Sequence, residues 1–259
     1  MKVLPNAVCV GSRECDVRDY ESLLRLVRKE RPTHIINLAA ISNPLACEQN
    51  PELAWDVNVK GTENVLMAGK EIGAKVILFS SAKVYENGTG LREDSKLKEN
   101  GGVYVSTKLK VEELGKRYGA VIIRPFNQEG PGRGKEYFTS KVILSALNGN
   151  KLELWNPDEV REFMDVRDGV EGIRLIALKG KGTYNLSSGT GISKLDYLRA
   201  VEDVLGRKIE FVIGKEGGKN LVGNNEKLRK LGWGPKYCLK DTIKAQAEYL
   251  KRTAELNNL

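Results

Sequence analysis

The sequence predicts an α/β protein whose doubly wound parallel sheet is accompanied by a smaller C-terminal lobe. Short apolar runs of strand length alternate with amphipathic runs of helix length through the first half of the chain. These apolar runs are nearly continuous, which is typical of strands covered by helices on both faces. With 259 residues, 41% of them hydrophobic, the chain is long enough to bury such a core.

Four predicted strands in the first half of the chain are separated by three predicted helices. The first helix places Leu23 and Val27 on one side and is broken by Pro32, and the second begins at Pro51, a residue suited to a first helical turn. In chain order, we predict a strand at 8–10, a helix at 18–30, a strand at 35–38, a helix at 51–72, a strand at 75–79, a helix at 104–117 and a strand at 121–123.

The alternation loosens after about residue 130. The pattern there predicts strands near 152–154, 183–186 and 209–213, and helices near 137–148, 168–178, 193–205 and 239–252. We expect residues 1–130 to form the larger, cofactor-binding domain, with some later segments returning to it. Residues 131–259 are expected to form mainly the smaller, substrate-binding lobe.

Cysteine and histidine usage argues against a metal centre. The four cysteines match no metal-binding or disulfide spacing, so we expect four reduced thiols and no bound metal. The single histidine, His34, adjoins an apolar strand, which argues against a zinc site or a Ser-His-Asp hydrolase. The cysteines are Cys9, Cys15, Cys47 and Cys238.

Charge and hydropathy narrow the range of partners. The formal net charge of +8 makes a nucleic-acid-binding protein one hypothesis, but the basic residues form no block or stripe, so we expect no nucleic-acid partner. An anionic substrate would still benefit from this charge. No apolar run has the length of a membrane span, and the N-terminus does not have the pattern of a secretion signal. We therefore expect a cytoplasmic protein with no membrane partner.

Polar residues follow the predicted strand that ends at Phe79. Ser80 and Ser81 come directly after it, and Tyr104 and Lys108 begin the next predicted helix, four residues apart and thus on one helical face. Ligands of parallel sheets bind at the carboxyl ends of the strands. The Tyr-x-x-x-Lys spacing is common by chance, but an upstream serine pair at a strand end makes a site there a better explanation.

These residue types suit proton transfer coupled to hydride transfer. A free tyrosine has a pKa of about 10 and is a poor acid or base at neutral pH, but a nearby ammonium favours the phenolate. Tyr104 could then exchange a proton with a sugar hydroxyl while a hydride moves to or from a nicotinamide. Ser81 could hydrogen-bond the same oxygen and orient it.

From about residue 15 to the C-terminus, the chain resembles the extended short-chain dehydrogenase/reductases that act on nucleotide-sugars, the NAD-dependent epimerase/dehydratase family. The resemblance rests on Cys-Asp-Val-Arg-Asp at 15–19, Asn-Leu-Ala-Ala at 37–40, Asn-Val-Lys-Gly-Thr at 58–62, the Ser81, Tyr104 and Lys108 set, Arg-Pro-Phe-Asn at 124–127, Gly-Pro-Gly-Arg at 130–133, Arg-Glu-Phe-Met-Asp-Val-Arg-Asp at 161–168, and Leu-Gly-Trp at 231–233 followed by Pro235. The segments at 124–127 and 163–168 look most similar to reductases of GDP-4-keto-6-deoxymannose.

The resemblance implies a Rossmann-like sheet, a catalytic Ser81-Tyr104-Lys108 triad, NAD or NADP as cofactor and a nucleotide-diphosphate sugar as substrate. The cofactor-binding residues that it implies are Asp16, Val17, Leu38, Ala39, Ala40, Asn58, Phe79, Ser80, Tyr104, Lys108 and Pro125. The substrate-binding residues are Ser42, Ser81, Asn127, Arg133 and Arg161, with Arg161 on the diphosphate. A surface salt bridge is the alternative role for Arg161. The helices at 51–72 and 104–117 resemble the family's dimer-forming pair, which implies a homodimer.

The sequence departs from the family pattern at its N-terminus. Residues 1–4 look like the opening of the family's first strand, but the Gly-x-x-Gly-x-x-Gly turn and its helix do not follow. An upstream start, a deletion, or a shortened protein in which residues 7–10 replace the central strand would each explain this. Without the turn that cradles the pyrophosphate, we expect weak binding of NAD or NADP, or binding that needs another chain.

Two further departures bear on the reaction. Dehydratases of the family carry Asp-Glu where this chain has Ala82 and Lys83, which disfavours a dehydratase and leaves a ketoreductase or an epimerase. Glu86 stands where the family has glycine. The competing hypothesis is a non-catalytic or weakly cofactor-binding regulatory protein of the same fold, which the missing glycine turn favours and the intact triad argues against.

Overall fold

The computed structural model describes residues 6–215 and 218–256. Residues 1–4, the predicted opening of a strand, lie outside them. The α-helices are α1 Tyr20–Glu30, α2 Pro44–Gln49, α3 Pro51–Trp55, α4 Gly61–Glu71, α5 Gly102–Arg117, α6 Phe138–Asn148, α7 Val166–Lys179, α8 Lys194–Leu205, α9 Glu226–Arg229 and α10 Leu239–Leu256. The strands are β1 His34–Asn37, β2 Lys75–Phe79, β3 Gly88–Leu91, β4 Val121–Pro125, β5 Gln128–Glu129, β6 Leu152–Trp155, β7 Val160–Arg161, β8 Met164–Asp165, β9 Thr183–Leu186, β10 Ile192–Ser193, β11 Phe211–Lys215 and β12 Leu221–Gly223.

A four-stranded parallel sheet in the order β1-β2-β4-β9 forms the centre of the fold. Apolar side chains from α1, α4 and α5 cover one face, where they pack on Val76 and Leu78. Side chains from α7 and α9 cover the other face, against Ile77 and Ile123. The predicted doubly wound parallel sheet is therefore confirmed, and β9 shows that a late segment of the chain joins it.

The predicted strand at 8–10 is wrong. This segment has no regular secondary structure, and Val8 and Val10 are 62% and 41% exposed. The amides of Glu14 and Cys15 both donate to the Gly11 carbonyl, so the chain turns here instead of extending along β1. A short apolar run needs a neighbouring strand to satisfy its backbone groups, and this one does not pair. Residues 7–10 therefore do not replace a central strand.

The predicted helix at 51–72 is divided into three segments. It comprises α3, a π-helical turn at Asp56–Lys60 and α4. An additional helix, α2, precedes it, and each of the two helices begins with an asparagine cap followed by proline: Asn43 caps α2 and Asn50 caps α3. A π-turn inserts one residue into a helix and occurs frequently at functional sites.

The C-terminal part of the chain builds a second apolar core. Helices α6, α8 and α10 pack with the two-stranded β6–β11 sheet around Ile143, Leu154, Tyr197 and Val201. A separate mixed sheet has the order β10-β7-β12-β3. A domain boundary near residue 130 stays a prediction. Among the described helices, none is both long and apolar enough to cross a membrane.

Candidate active site

The two serines that follow β2 have different surroundings. Ser80 is buried and donates a 2.6 Å hydrogen bond to the Glu112 carboxylate. Ser81 caps a single 3₁₀ turn at Ala82–Val84, because its hydroxyl oxygen accepts a 3.1 Å hydrogen bond from the Lys83 amide. Ser80 thus anchors the strand end to α5, and Ser81 lies at the start of the turn beside Tyr104.

Tyr104 and Lys108 lie one turn apart on α5, and both side chains are buried. The Lys108 ammonium donates a 2.9 Å hydrogen bond to the Phe79 carbonyl, at the carboxyl end of β2. Its nitrogen lies 5.9 Å from the centroid of the Tyr104 ring. The phenol and the ammonium therefore meet where the parallel sheet ends, as the four-residue spacing predicts.

Burial shifts the pKa of both groups toward their neutral forms. It raises the pKa of Tyr104 above its usual value, and a hydrogen bond with Ser81 lowers it in part. Burial lowers the pKa of Lys108 to about 8. The lysine is therefore still mainly protonated at neutral pH, while the net shift of the Tyr104 pKa is upward.

A cavity of about 190 Å³ opens beside these two residues. Its wall includes eight predicted cofactor-binding residues and one predicted substrate-binding residue: Leu38, Ala39, Ala40, Phe79, Ser80, Tyr104, Lys108 and Pro125, with Ser42. Three further lining residues, Asn37, Thr62 and Val111, were not among the predicted site residues. The structure thus brings together segments that are up to 88 residues apart, from position 37 to position 125.

Asn58 holds one wall of the cavity. It is 1% exposed and lies in the π-helical turn. Its side chain accepts from the Ile41 amide at 2.7 Å and donates to the Ile41 carbonyl and to Thr107, each at 3.1 Å. The loop at 38–42 is therefore tied to α5. Thr62, four residues along, donates to the Asn58 carbonyl at 2.6 Å, and the Asn-x-x-x-Thr spacing was the signal that could have identified it.

Asp16 and Val17 do not line this cavity. The Asp16 carboxylate pairs with Arg18 at 2.6 Å, and that bond lowers its pKa to about 2. The Val17 carbonyl accepts from Asn64 at 2.9 Å, and the Val17 side chain lies against Gly61 of α4. Their predicted role in cofactor binding stays a prediction.

The predicted substrate residues other than Ser42 and Ser81 lie on loops and short strands beyond the strand ends. Arg161 pairs with Glu159, which also pairs with Lys194. The Arg133 guanidinium stacks on the Tyr137 ring at 3.6 Å. The Asn127 carbonyl accepts from the Met164 amide at 3.1 Å, which fixes the loop after β4 against β8.

A buried ion pair connects the strand ends of the main sheet to α5. Arg124 of β4 forms two hydrogen bonds with the Glu112 carboxylate, at 2.6 and 2.7 Å, and both side chains are 2% exposed. Arg124 also donates to the Tyr85 hydroxyl, which in turn donates to Asn185 of β9. This network links β2, β4, β9 and α5. Within the described part of the chain, no group of three or more potential metal ligands is present.

Comparison with known proteins assigns the chain to a family. A UDP-glucose 4-epimerase of Rhizobium leguminosarum bv. trifolii is 29% identical over 90% of this chain and 82% of its own length. A GDP-6-deoxy-D-mannose reductase of Pseudomonas aeruginosa is 25% identical over 83% of this chain and 79% of its length. The structure of RMD from Pseudomonas aeruginosa, complexed with NADPH, superposes with a TM-score of 0.85 at 23% identity, covering 92% of this chain and 87% of that one. The model of the NAD dependent epimerase/dehydratase family matches residues 3–187, and the chain therefore belongs to that family.

Proposed function

We propose that this chain is an oxidoreductase or epimerase of nucleotide-diphosphate sugars, and more narrowly a reductase of a 4-keto sugar. The observation that carries this proposal is the joint burial of Tyr104 and Lys108 beside Ser81 at the carboxyl end of β2, on the wall of one cavity. Among the described residues, the buried Lys108 ammonium has the Phe79 carbonyl oxygen as its hydrogen-bond acceptor and no carboxylate partner, which a structural role alone would not require.

The cavity fits the nicotinamide end of NAD or NADP. Leu38, Phe79 and Pro125 offer apolar contact for a planar ring, and the Lys108 ammonium and the Tyr104 hydroxyl offer polar groups for the adjoining ribose. When bound there, the cofactor would donate or accept the hydride. No glycine-rich turn in this sequence cradles a pyrophosphate, so the fit covers only part of the cofactor.

Each member of the triad has a distinct task. Tyr104 passes a proton to the carbonyl oxygen of the sugar as that carbon is reduced, or removes the hydroxyl proton in the reverse direction. Lys108 favours the phenolate through its charge and would hydrogen-bond the nicotinamide ribose of a bound cofactor. Ser81 donates a hydrogen bond to the reacting oxygen and aligns it with the phenol.

Several features favour a ketoreductase over the other activities of the family. Ala82 and Lys83 replace the acid and base of dehydratases. The Arg-Pro-Phe-Asn segment at 124–127 resembles that of 4-keto sugar reductases, and a relative in Pseudomonas aeruginosa is named as a GDP-6-deoxy-D-mannose reductase. Other relatives are named UDP-glucose 4-epimerases, so an epimerase is the nearest alternative activity.

A direct assay separates these activities. The chain is incubated with a panel of UDP- and GDP-linked 4-keto sugars and either NADH or NADPH, and loss of the reduced cofactor is followed by absorbance. It is also incubated with UDP-glucose and NAD, and formation of UDP-galactose is followed by chromatography. A reductase consumes one cofactor for each sugar reduced. An epimerase interconverts UDP-glucose and UDP-galactose with no net consumption. Absence of both reactions across the panel would contradict the proposal.

A non-catalytic protein of the same fold is the second candidate. The specific observation in its favour is the exposure of Leu38, which lines the cavity and is nevertheless 68% exposed. Leu38 directly follows β1, the outer strand of the described main sheet. A cofactor would have less protein around its pyrophosphate than the glycine turn normally supplies. This candidate predicts binding of a nucleotide-sugar without any change in cofactor absorbance in the same assay.

We also propose a homodimer formed through α3–α4 and α5. These helices pack side by side, and Arg117 and Glu63 join α5 to α4 with a 2.9 Å ion pair. They thus present one continuous surface that a second copy could match in an isologous contact. Light scattering coupled to size-exclusion chromatography measures the mass, and a monomer at micromolar concentration would contradict this proposal.

A further inference from the structure

Lys83 is an exposed residue that lies close to Tyr104 but does not line the cofactor cavity. Its backbone amide donates to the Ser81 hydroxyl, which fixes Lys83 directly after the triad serine. Its ammonium lies 6.0 Å from the centroid of the Tyr104 ring, about as far as that of Lys108. Lys108 lines the cofactor cavity, whereas Lys83 is not among the residues of its wall.

Lys83 has cationic neighbours. Protein atoms partly desolvate its ammonium and lower its pKa, and the charges of Arg161 and Lys98 lower it further. Lys98 is fixed next to it, because its ammonium donates a 3.0 Å hydrogen bond to the Lys83 carbonyl. Glu86 raises the pKa of Lys98, and Glu159 pairs with Arg161, so each of these two cations has an acidic neighbour.

Lys83 itself lacks such a neighbour. Among the ion pairs formed by the described residues, none includes Lys83. A lysine that lies close to other cations raises the local positive potential, which attracts an anionic group. The arrangement is therefore suited to an anion that the protein does not provide.

The place of Lys83 relative to the phenol indicates which part of a substrate carries this anion. The oxygen on the reacting sugar carbon must lie within hydrogen-bonding distance of the Tyr104 hydroxyl. The resemblance assigns Arg161, whose fork suits phosphate oxygens, to the diphosphate. An anion held by Lys83 beside the Tyr104 ring is thus on the sugar, and the common anionic group of a sugar ring is a carboxylate.

We propose that Lys83 is a specificity-determining residue that binds a carboxylate on the sugar, so that the substrate is a nucleotide-diphosphate uronic acid. This inference rests on the proposed function and narrows its substrate class. The neighbouring Arg161 and Lys98 add positive potential, and Lys83 forms the charge-assisted hydrogen bond. Replacement of the dehydratase acid-base pair by Ala82 and Lys83 then serves to bind a substrate group and not to eliminate water.

Matched pairs of acidic and neutral sugars test the inference by binding. Affinities are measured by calorimetry for UDP-glucuronic acid against UDP-glucose, and for GDP-mannuronic acid against GDP-mannose. Each is measured on the wild-type chain, on Lys83→Met and Lys83→Arg, and on Lys116→Met, an exposed lysine at the far end of α5. Because Lys83 is exposed, Lys83→Met should fold, and circular dichroism during heating checks this.

We expect the wild-type chain to bind one pair, UDP-linked or GDP-linked, more tightly than the other. Within that pair, the acidic sugar should bind more tightly than the neutral one. Lys83→Met should weaken binding of that acidic sugar by at least about tenfold and change the neutral one by less than about twofold. Lys83→Arg should keep most of the preference, and Lys116→Met should keep all of it.

Three results would overturn the inference. An equal loss for both members would place Lys83 on the diphosphate, an unchanged preference in Lys83→Met would make it a solvated lysine, and failure of the wild-type chain to favour an acidic sugar in either pair would remove its basis. These results differ from failure of the proposed function. If the chain reduces a neutral keto sugar but shows no preference for an acidic one, the proposed function stands and only this inference fails.

Discussion

The Lys108 ammonium is held 2.9 Å from the carbonyl oxygen of Phe79, so a helix side chain is fixed to the end of the central β2 strand. This contact puts the charge 5.9 Å from the centre of the Tyr104 ring while the lysine is only 4% exposed. Burial of the lysine disfavours its protonated form.

The first prediction concerns the pH dependence of stability. Burial lowers the pKa of Lys108 to about 8 in the folded chain, whereas an unfolded lysine titrates near about 10.4. The folded state thus binds the proton less tightly. Lys108 contributes a destabilising free energy that is complete below about pH 8 and is lost as the pH rises from there to about 10.4.

The difference between Lys108→Met and the wild-type chain should therefore depend on pH. The free energy of unfolding of the variant minus that of the wild type should be larger at pH 7 than at pH 10. The change should be on the order of 2–3 kcal/mol. Urea denaturation at several pH values measures it. Lys110→Met, at a half-buried position on the same helix, is the control and should show little pH dependence between pH 7 and pH 10. A constant difference for Lys108→Met would contradict the shifted pKa.

The second prediction concerns the buried ion pair of Arg124 and Glu112. Arg124→Met leaves the Glu112 carboxylate buried with Ser80 as a remaining hydrogen-bond donor, and should reduce the free energy of unfolding by about 3–5 kcal/mol. Arg117→Met breaks the more exposed pair with Glu63 and should cost less than about 1 kcal/mol. Equal losses in denaturant titrations would show that the buried pair has no special role.

The third prediction concerns Asn58 and the cavity wall. Asn58→Ala removes three hydrogen bonds that hold Ile41 and Thr107, and should reduce the free energy of unfolding by about 1–3 kcal/mol. Because the loop at 38–42 lines the cavity, the affinity for NADH or NADPH should also fall. Asn225→Ala, which removes donors to the Ser187 and Ser188 carbonyls in another part of the fold, should lose stability alone.

Cofactor affinity itself is the subject of the fourth prediction. No glycine-rich turn in this sequence surrounds the pyrophosphate, so calorimetry should show binding of NADH and NADPH at least about tenfold weaker than in a family member that has the turn, equivalent to about 1.4 kcal/mol. A reductase of the same family, measured in the same buffer, provides the reference. Equal affinity would show that other residues replace the cradle.

Much of the fold follows from periodicity in the sequence. The apolar run at 75–79 and the amphipathic run at 104–117 gave strand and helix bounds that the structure matches closely, because each run is long enough for one pattern to dominate. The four-residue spacing of Tyr104 and Lys108 placed them on one helical face, and the structure has them on the wall of the same cavity.

Other features depend on contacts that periodicity does not encode. The three apolar residues at 8–10 resemble a strand, but a strand requires a partner at hydrogen-bonding distance, and this segment turns at Gly11. The π-turn around Asn58 follows from tertiary hydrogen bonds to Ile41 and Thr107. The charges that surround Lys83 come from Lys98 and Arg161, which are distant in sequence and meet only in the folded chain.

The central claim is that Tyr104 is the proton donor of a hydride-transfer reaction, and turnover of Tyr104→Phe tests it most directly. This change removes one hydroxyl and leaves the ring in place, so unfolding should be little affected. Tyr118→Phe, at the end of the same helix, is the matched control. We predict that Tyr104→Phe lowers kcat by at least about 100-fold with a nucleotide-sugar that the wild-type chain turns over, while Tyr118→Phe retains full activity. Turnover by Tyr104→Phe within about tenfold of the wild-type rate would contradict the assignment.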